Sequence, residues 1–462
     1  MSDYTETAVR HALACTAETL PDTDDAWQQF TRAEHSHRRT RHRRGAIAAA
    51  FLVAAIAVQT NVLPLPGWAP GIAVADTWSA FADGPVRGNL SSDTAWLADF
   101  RTRVHGLHDG DGLWRVADRS SIHVVYAGDV AGHRLALVYV PLRLGLITDA
   151  DVIWYEGRAN ASPSQMVMSG NDDASVPVAT LLQDDSDTGG FAVVVGAPGT
   201  DVSISGSATY AATGVVEHHQ TTMASNGVGV AVLPPSEVTP AVTTHVAHNG
   251  HVIYDGPLLG SWRAISAYDI SSAILTAAMR GARGPALDPI VLRTFIAAAL
   301  NSSHLTLQNV TVNVSWSGTI DRQPAVLITL QPAGGGVLAF AFHNTGTSSY
   351  SIDLRLLLPA AGANQRPIAW RLRGQNKDQT NTVIVTAPTG AATAVVTVAD
   401  GTTHSVALDA SGHGTTDIPV NQSAVVTTYA ANGTVLASTP VPEIENDEAG
   451  LPGDTPQTRI VG

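Results

Sequence analysis

The sequence predicts an α+β, mainly β protein. One N-terminal transmembrane helix is followed by two duplicated extracytoplasmic modules, each a helix plus hairpins and a small antiparallel β-sandwich. Three observations carry this expectation. A dense arginine run meets an uncharged apolar run within residues 37–58. Strand-and-turn patterns then recur at matching intervals in two halves of the remaining chain. A helix-like stretch precedes each recurrence.

Composition narrows the class. The 462 residues are 44% hydrophobic and 14% charged, enough apolar material for several buried cores. Residues 1–44 hold seven acids and seven arginines, so the net charge of −14 falls entirely on the rest. An acidic body repels phosphate, which argues against a nucleic-acid partner. Lys377 is the single lysine among 26 basic residues, the bias of a high-GC genome such as an actinomycete's. Asn89, Asn309 and Asn313 then read as chance glycosylation matches. Cys15 is the only cysteine, so no intramolecular disulfide can form and the long body carries no thiol.

Residues 1–44 read as a cytoplasmic helical arm. In "DTDDAWQQFTRAEHSHRR", Asp22 or Thr23 caps a helix with acids in its first turn and arginines in its last. Trp27 and Phe30 share one face. So short a segment cannot bury both rings, so they rest on a membrane surface or dock on a cytosolic protein. Residues 45–67 read as the transmembrane helix: no charge occurs from Gly45 to Ala75, and Pro64 and Pro66 end the run. Arg38, Arg39, Arg41, Arg43 and Arg44 precede it. The positive-inside rule therefore places the N-terminus in the cytoplasm and the body outside a plasma membrane crossed once. A cleaved signal with its site at Ala73-Val74-Ala75 is the competing reading.

Modules 68–265 and 266–440 follow. "VVYAGDVAGHRLALVYV" (124–140) matches "VSWSGTIDRQPAVLITL" (314–330), and "VVVGAPG" (193–199) matches "VIVTAPT" (383–389). Gly128 to Pro198 and Gly318 to Pro388 both span 70 residues. "HVAHNGHVIYDGP" (245–257) matches "TYAANGTVLASTP" (428–440), with Asn to Pro spanning 8 residues in each. Asp-led helices precede the copies at 92–104, with Trp96, Leu97 and Phe100 on one face, and at 287–300, with Leu292, Phe295 and Ile296. Asn-Gly and Asp-Gly turns separate alternating strands. The helix and first hairpins are expected to form one sheet, and the last 65 or so residues of each copy a separate sandwich. The acidic, Pro- and Gly-containing stretch 441–462 is expected to be a disordered tail.

The chemistry-bearing residues are sparse. His248 and His251 would face each other across a hairpin, with His245 on the opposite face, leaving two ligands where zinc takes three or four. "VHGLHDGDG" (104–112) lacks the remaining carboxylates of a calcium loop. His218 and His219 point to opposite sides of a strand. Asp129 aligns with Thr319 in the second copy. No nucleophile elbow, Walker loop or His-Glu-x-x-His motif occurs. The expectation is therefore no catalytic, cofactor or metal residue.

"RGNLSSDTAWLADFRTR" followed by "VVYAGDVAGHRLALVYV" resembles a group of uncharacterised actinobacterial single-pass membrane proteins, which have an Arg-rich cytoplasmic arm and an AGDV-type β-rich ectodomain. The resemblance covers roughly residues 25–260. Some of that group are linked to extracytoplasmic-function sigma factors. The arm also loosely resembles that of transmembrane anti-sigma factors, whose zinc-binding version carries His-x3-Cys-x2-Cys. Here His11 and Cys15 match, but Glu18 replaces the last cysteine. The leading expectation is a non-enzymatic, membrane-anchored binding or sensing protein. The alternatives are a regulator whose arm holds a sigma factor and an envelope enzyme.

Overall fold

Apolar alternation decides the layering, and turn residues decide where each strand reverses. The computed structural model describes residues 79–105, 115–144, 147–185, 189–258, 260, 262–263, 265–346, 349–374, 379–444 and 450–460. Trp27, Phe30, the five arginines from Arg38 to Arg44 and the apolar run 45–67 lie outside them. Among the described residues no helix is long and apolar enough to cross a membrane. Nearly all described residues belong to one compact unit: Thr77–Gly112, Val116–Leu142 and Asp149–Gly462.

In the first half, helix α1 (Thr94–His105) starts where the Asp93 carboxylate accepts the Trp96 N–H at 3.0 Å. It lies on an antiparallel sheet of β1 (Arg115–Val116), β2 (His123–Val130), β3 (His133–Leu144), β4 (Ile147–Arg158) and β5 (Val167–Asp173), in which both β1 and β2 pair with β3. Next come β6 (Ala179–Asp185), β7 (Gly189–Val195), β8 (Asp201–Tyr210), β9 (Val216–Ala224), β10 (Val228–Leu233), β11 (Thr243–His248) and β12 (His251–Pro257). They form two sheets, ordered β6-β7-β10 and β9-β8-β11-β12. The two form a seven-stranded antiparallel sandwich in which the fourth strand, β9, lies at the edge of the second sheet.

The second half opens with helix α2 (Ser272–Ala278), which the sequence reading did not anticipate. Helix α3 (Pro289–Ser303) begins at Asp288, whose carboxylate accepts the N–H groups of Ile290 and Val291, with Pro289 at the first helical position. A sheet of β13 (Val310–Ile320), β14 (Gln323–Pro332), β15 (Val337–Asn344) and β16 (Tyr350–Leu358) follows in simple order. Then come β17 (Ile368–Arg373), β18 (Gln379–Thr386), β19 (Thr393–Val398), β20 (Thr403–Val406), β21 (His413–Asp417), β22 (Ala424–Tyr429) and β23 (Val435–Val441), in sheets β17-β18-β21 and β20-β19-β22-β23. Strand for strand, this is the order of the first half.

Each half is four layers: helix, meander sheet, three-stranded sheet, four-stranded sheet. In β7, Phe191, Val193 and Val195 pack toward the meander sheet, while Ala192 and Val194 pack into the sandwich core. In the second half, Ile384 faces the meander, and Val383 and Val385 face the sandwich core. Both faces of these strands are buried, which is why "FAVVV" and "VIV" read as unbroken apolar runs. The meander and the sandwich are therefore not separate bodies, as the sequence had suggested. They share the three-stranded layer.

The expected disordered tail is corrected for its described part. Leu451 and Ile460 are buried, and the Ile460 N–H donates to the Leu357 carbonyl at 2.9 Å. His218 of β9 pairs with Asp454 at 2.9 Å, so the tail touches both halves. Other bonds join the halves. The Tyr210 hydroxyl donates to the Ser303 carbonyl at 2.8 Å, and the Ala360 N–H donates to the Ala212 carbonyl at 2.9 Å. The His304 Nδ1–H donates to the Thr239 carbonyl at 2.6 Å. Tyr210 and Val238 share one apolar cluster with α3.

Candidate functional site

The histidines foreseen as a metal candidate stay at a hairpin tip. His248 and His251 pair directly across β11 and β12, around Asn249 and Gly250 with φ of 50° and 79°. His245 instead meets Asp255 at 3.4 Å. Among the described residues no group of three or more potential ligands converges. His218 and His219 have different partners, Asp454 and the Thr209 hydroxyl. His108, Asp109 and Asp111 lie outside the described residues.

Asp129 holds a hairpin together. Its carboxylate takes Arg134 in a two-pronged ion pair at 2.7 and 2.8 Å. The Arg134 guanidinium also donates to the Ala161 carbonyl and stands 5.5 Å from the Trp96 ring centre. Asn89 brackets the Asp129 backbone, accepting its N–H and donating to its carbonyl. The "AGDV" motif is thus a fastening.

The sequence reading missed a duplicated Arg-Gly pair. Arg87 and Arg283 each form a parallel bridge with an aromatic residue, Tyr126 and Trp316 respectively. The buried Arg87 guanidinium crosses from the meander to the sandwich and donates to the Gly196 carbonyl at 2.6 Å and the Gly227 carbonyl at 3.3 Å. Burial pulls its pKa down to about 10, so it stays charged at neutral pH. The following glycines are forced. Gly88 and Gly284 both sit at φ +99°, and a Cβ would lie 2.2 Å from the Ala127 oxygen and 2.0 Å from the Ser317 oxygen.

A cleft of about 320 Å³ opens beside Arg283, between the meander sheet and the sandwich of the second half. Strand alternation puts Asn313, Thr329 and Gln331 on one wall, and Ser315 joins them at the register shift of β13 between Val314 and Trp316. The connection from β16 to β17 supplies Asn364 and Arg366, and the end of β18 supplies Thr386. Among the described residues two guanidiniums reach it and no carboxylate lines it. Thr386 is only 3% exposed, and its hydroxyl has no hydrogen-bond partner among the described residues. Leaving such a group unpaired costs about 1–3 kcal/mol.

The matching place in the first half is filled by the chain itself. Counting 190 residues back from Ser315, Thr329, Gln331 and Thr386 gives Val125, Tyr139, Pro141 and Gly196. These are apolar, apart from the Tyr139 hydroxyl. Phe81 is fully buried in the cluster that holds Val125, Leu137 and Val195. The Ser79 hydroxyl anchors that plug on the Ala174 carbonyl at 2.8 Å, and a Cβ on Gly84 would touch Pro198 at 3.1 Å. Before Arg283 the chain instead forms α2, whose Leu275 and Ala278 join the cluster under α3. Among the described residues nothing equivalent to Phe81 then enters the second cleft.

No family model and no curated protein matches this chain. Among solved structures, the full extracellular region of Plexin A4 aligns over 69% of this chain and 45% of its own length, at 8% identity and a TM-score of 0.13. The chain thus spans less than half of that structure, and a likeness at that score carries no argument about fold or activity.

Proposed function

We propose that this chain is a non-enzymatic, membrane-anchored extracytoplasmic binding or sensing protein, built from two copies of one duplicated module. One copy is structural and the other holds the ligand. The open, polar cleft of the second module, at the place the first module seals with Phe81, is the observation that carries this reading. A duplicated fold in which one copy keeps its pocket and the other closes it divides support from recognition. The repeated strand order supports the duplication. The arginines before residue 45 and the charge-free run after it support the anchor. The bonding of Asp129 and His218 supports a non-enzymatic role, since each is engaged in holding the fold.

Two measurements test it. On intact cells a membrane-impermeant maleimide is expected to label Tyr268→Cys in a Cys15→Ser background, because Tyr268 is 88% exposed. Wild-type Cys15 is expected to react only after lysis. Labelling of Cys15 on intact cells would reverse the topology. For binding, small molecules extracted from the envelope are expected to raise the melting temperature of the detergent-solubilised full chain. They should not raise that of Ser315→Trp, which fills the cleft. An equal rise in both, or none in either, rejects the cleft as the binding site.

A further inference from the structure

We propose that the cleft of the second module binds a small hydroxylated anion, of the chemical class of a sugar acid or sugar phosphate. This deepens the binding reading above and rests on it.

Charge selects the anion. The chain as a whole carries −14, yet this cleft presents Arg283 and Arg366 and no acidic side chain. Arg366 is half-buried, and its guanidinium has no ion pair or hydrogen bond among the described residues. Arg283 is partly engaged: its Nε–H donates to the Ser315 carbonyl at 3.4 Å, and Asp409 lies near enough to favour its charge. A partly desolvated guanidinium with open donors matches the two oxygens of a carboxylate or phosphate.

The rest of the lining selects hydroxyls. Asn313, Ser315, Gln331 and Thr386 offer amide and hydroxyl groups that both donate and accept, as a polyol requires. The buried, unpartnered Thr386 hydroxyl is the sharpest sign. The first module, which is plugged, has Gly196 at that position, with no side-chain hydroxyl to satisfy. A buried polar group without a partner on the wall of an open cleft is accounted for by a ligand that supplies one. The volume of about 320 Å³ is at the small end of ligand pockets and suits a single sugar ring.

The test is titration calorimetry on the full chain in detergent, with glucuronate, glucose 6-phosphate, glucose and inorganic phosphate as probes. Glucuronate or glucose 6-phosphate is expected to bind at least about tenfold more tightly than glucose and than phosphate alone. Whichever of the two binds tighter identifies the anion as carboxylate or phosphate. Arg366→Gln is expected to weaken that binding about tenfold. Thr386→Val is expected to weaken it severalfold while leaving the melting temperature of the free protein unchanged or raised. That pairing distinguishes a ligand contact from a structural one. Glucose binding as well as glucuronate would overturn the anion requirement, and phosphate binding as well as glucose 6-phosphate would overturn the polyol requirement. No heat with any probe, or full affinity in Arg366→Gln, would overturn the proposal. If the envelope extract still stabilises the wild type and not Ser315→Trp, only the ligand class falls and the binding reading stands.

Discussion

In each half one arginine–glycine pair packs against the meander sheet, and in the first half Arg87 ties that sheet to its sandwich. Gly88→Ala and Gly284→Ala each combine a positive φ with a backbone oxygen about 2 Å from the new Cβ. Each is expected to cost about 3 kcal/mol or more, read as a lower urea midpoint with unchanged slope. A loss below 1 kcal/mol would mean that the backbone relaxes there easily. Arg87→Gln is expected to cost about 2–4 kcal/mol, because the Gly196 and Gly227 carbonyls lose a charged donor in a buried place. These residues were visible in the sequence as "VRG" and "ARG". Their repetition was hidden because Arg87 precedes Gly128 by 41 residues and Arg283 precedes Gly318 by 35. The loop after α1 differs in length between the halves, and a fixed-interval comparison passes over it. The cleft was less legible still. Ser315, Thr329 and Thr386 look like ordinary strand hydroxyls until the fold shows that Phe81 has no counterpart.

At the scale of elements, helices α1 and α3 were readable from their Asp caps and their apolar faces, and the hairpins from their turns. Asp288→Ala is expected to lose about 1 kcal/mol through the cap. Helix α2 is seven residues and the tail is Pro- and Gly-punctuated, so neither has the length over which periodicity speaks. The tail has a pH dependence of definite sign. The hydrogen bond to Asp454 raises the His218 pKa above the ordinary 6.5, and burial partly opposes it. The protonated ring is thus favoured in the folded state. Its contribution is full below about 6.5 and is lost as pH rises through the higher folded value. After correction for intrinsic rates, amide exchange across 450–460 should be better protected at pH 6 than at pH 8. His218→Gln should flatten that difference. Equal protection in the wild type at both pH values would remove the pair from the account of tail docking.

On the scale of the molecule, the two halves share bonds and an apolar cluster. The chain from Ser79 onward is expected to melt in one calorimetric transition. Tyr210→Ala removes a fully buried ring and its bond to Ser303, which is expected to cost about 3–5 kcal/mol and to separate the melting of the halves. Two transitions already present in the wild type would show that the joint is weak. The repeated strand order was legible because strand patterns and turn spacings recur in both halves. What was not legible is that one copy is sealed and the other open. That difference comes from the residues preceding each copy, Ser79 to Gly84 in one and α2 in the other, which carry no shared pattern.

The clasp formed by residues 450–460 has a consequence for how the chain is assembled. A ribosome makes those residues after every strand of both halves, at roughly 5–20 residues per second. Until they emerge, β16 lacks the bond at Leu357, and β9 lacks the partner of His218. Each half can complete its own layers during synthesis, and the bonds of Tyr210, His304 and Ala360 can already join them, but the tail's part of the seam closes only once residues 450–460 have emerged. A product truncated before residue 450 would therefore carry both halves with Leu357 and His218 left without their tail partners, which gives quality-control proteases a physical mark of incompleteness.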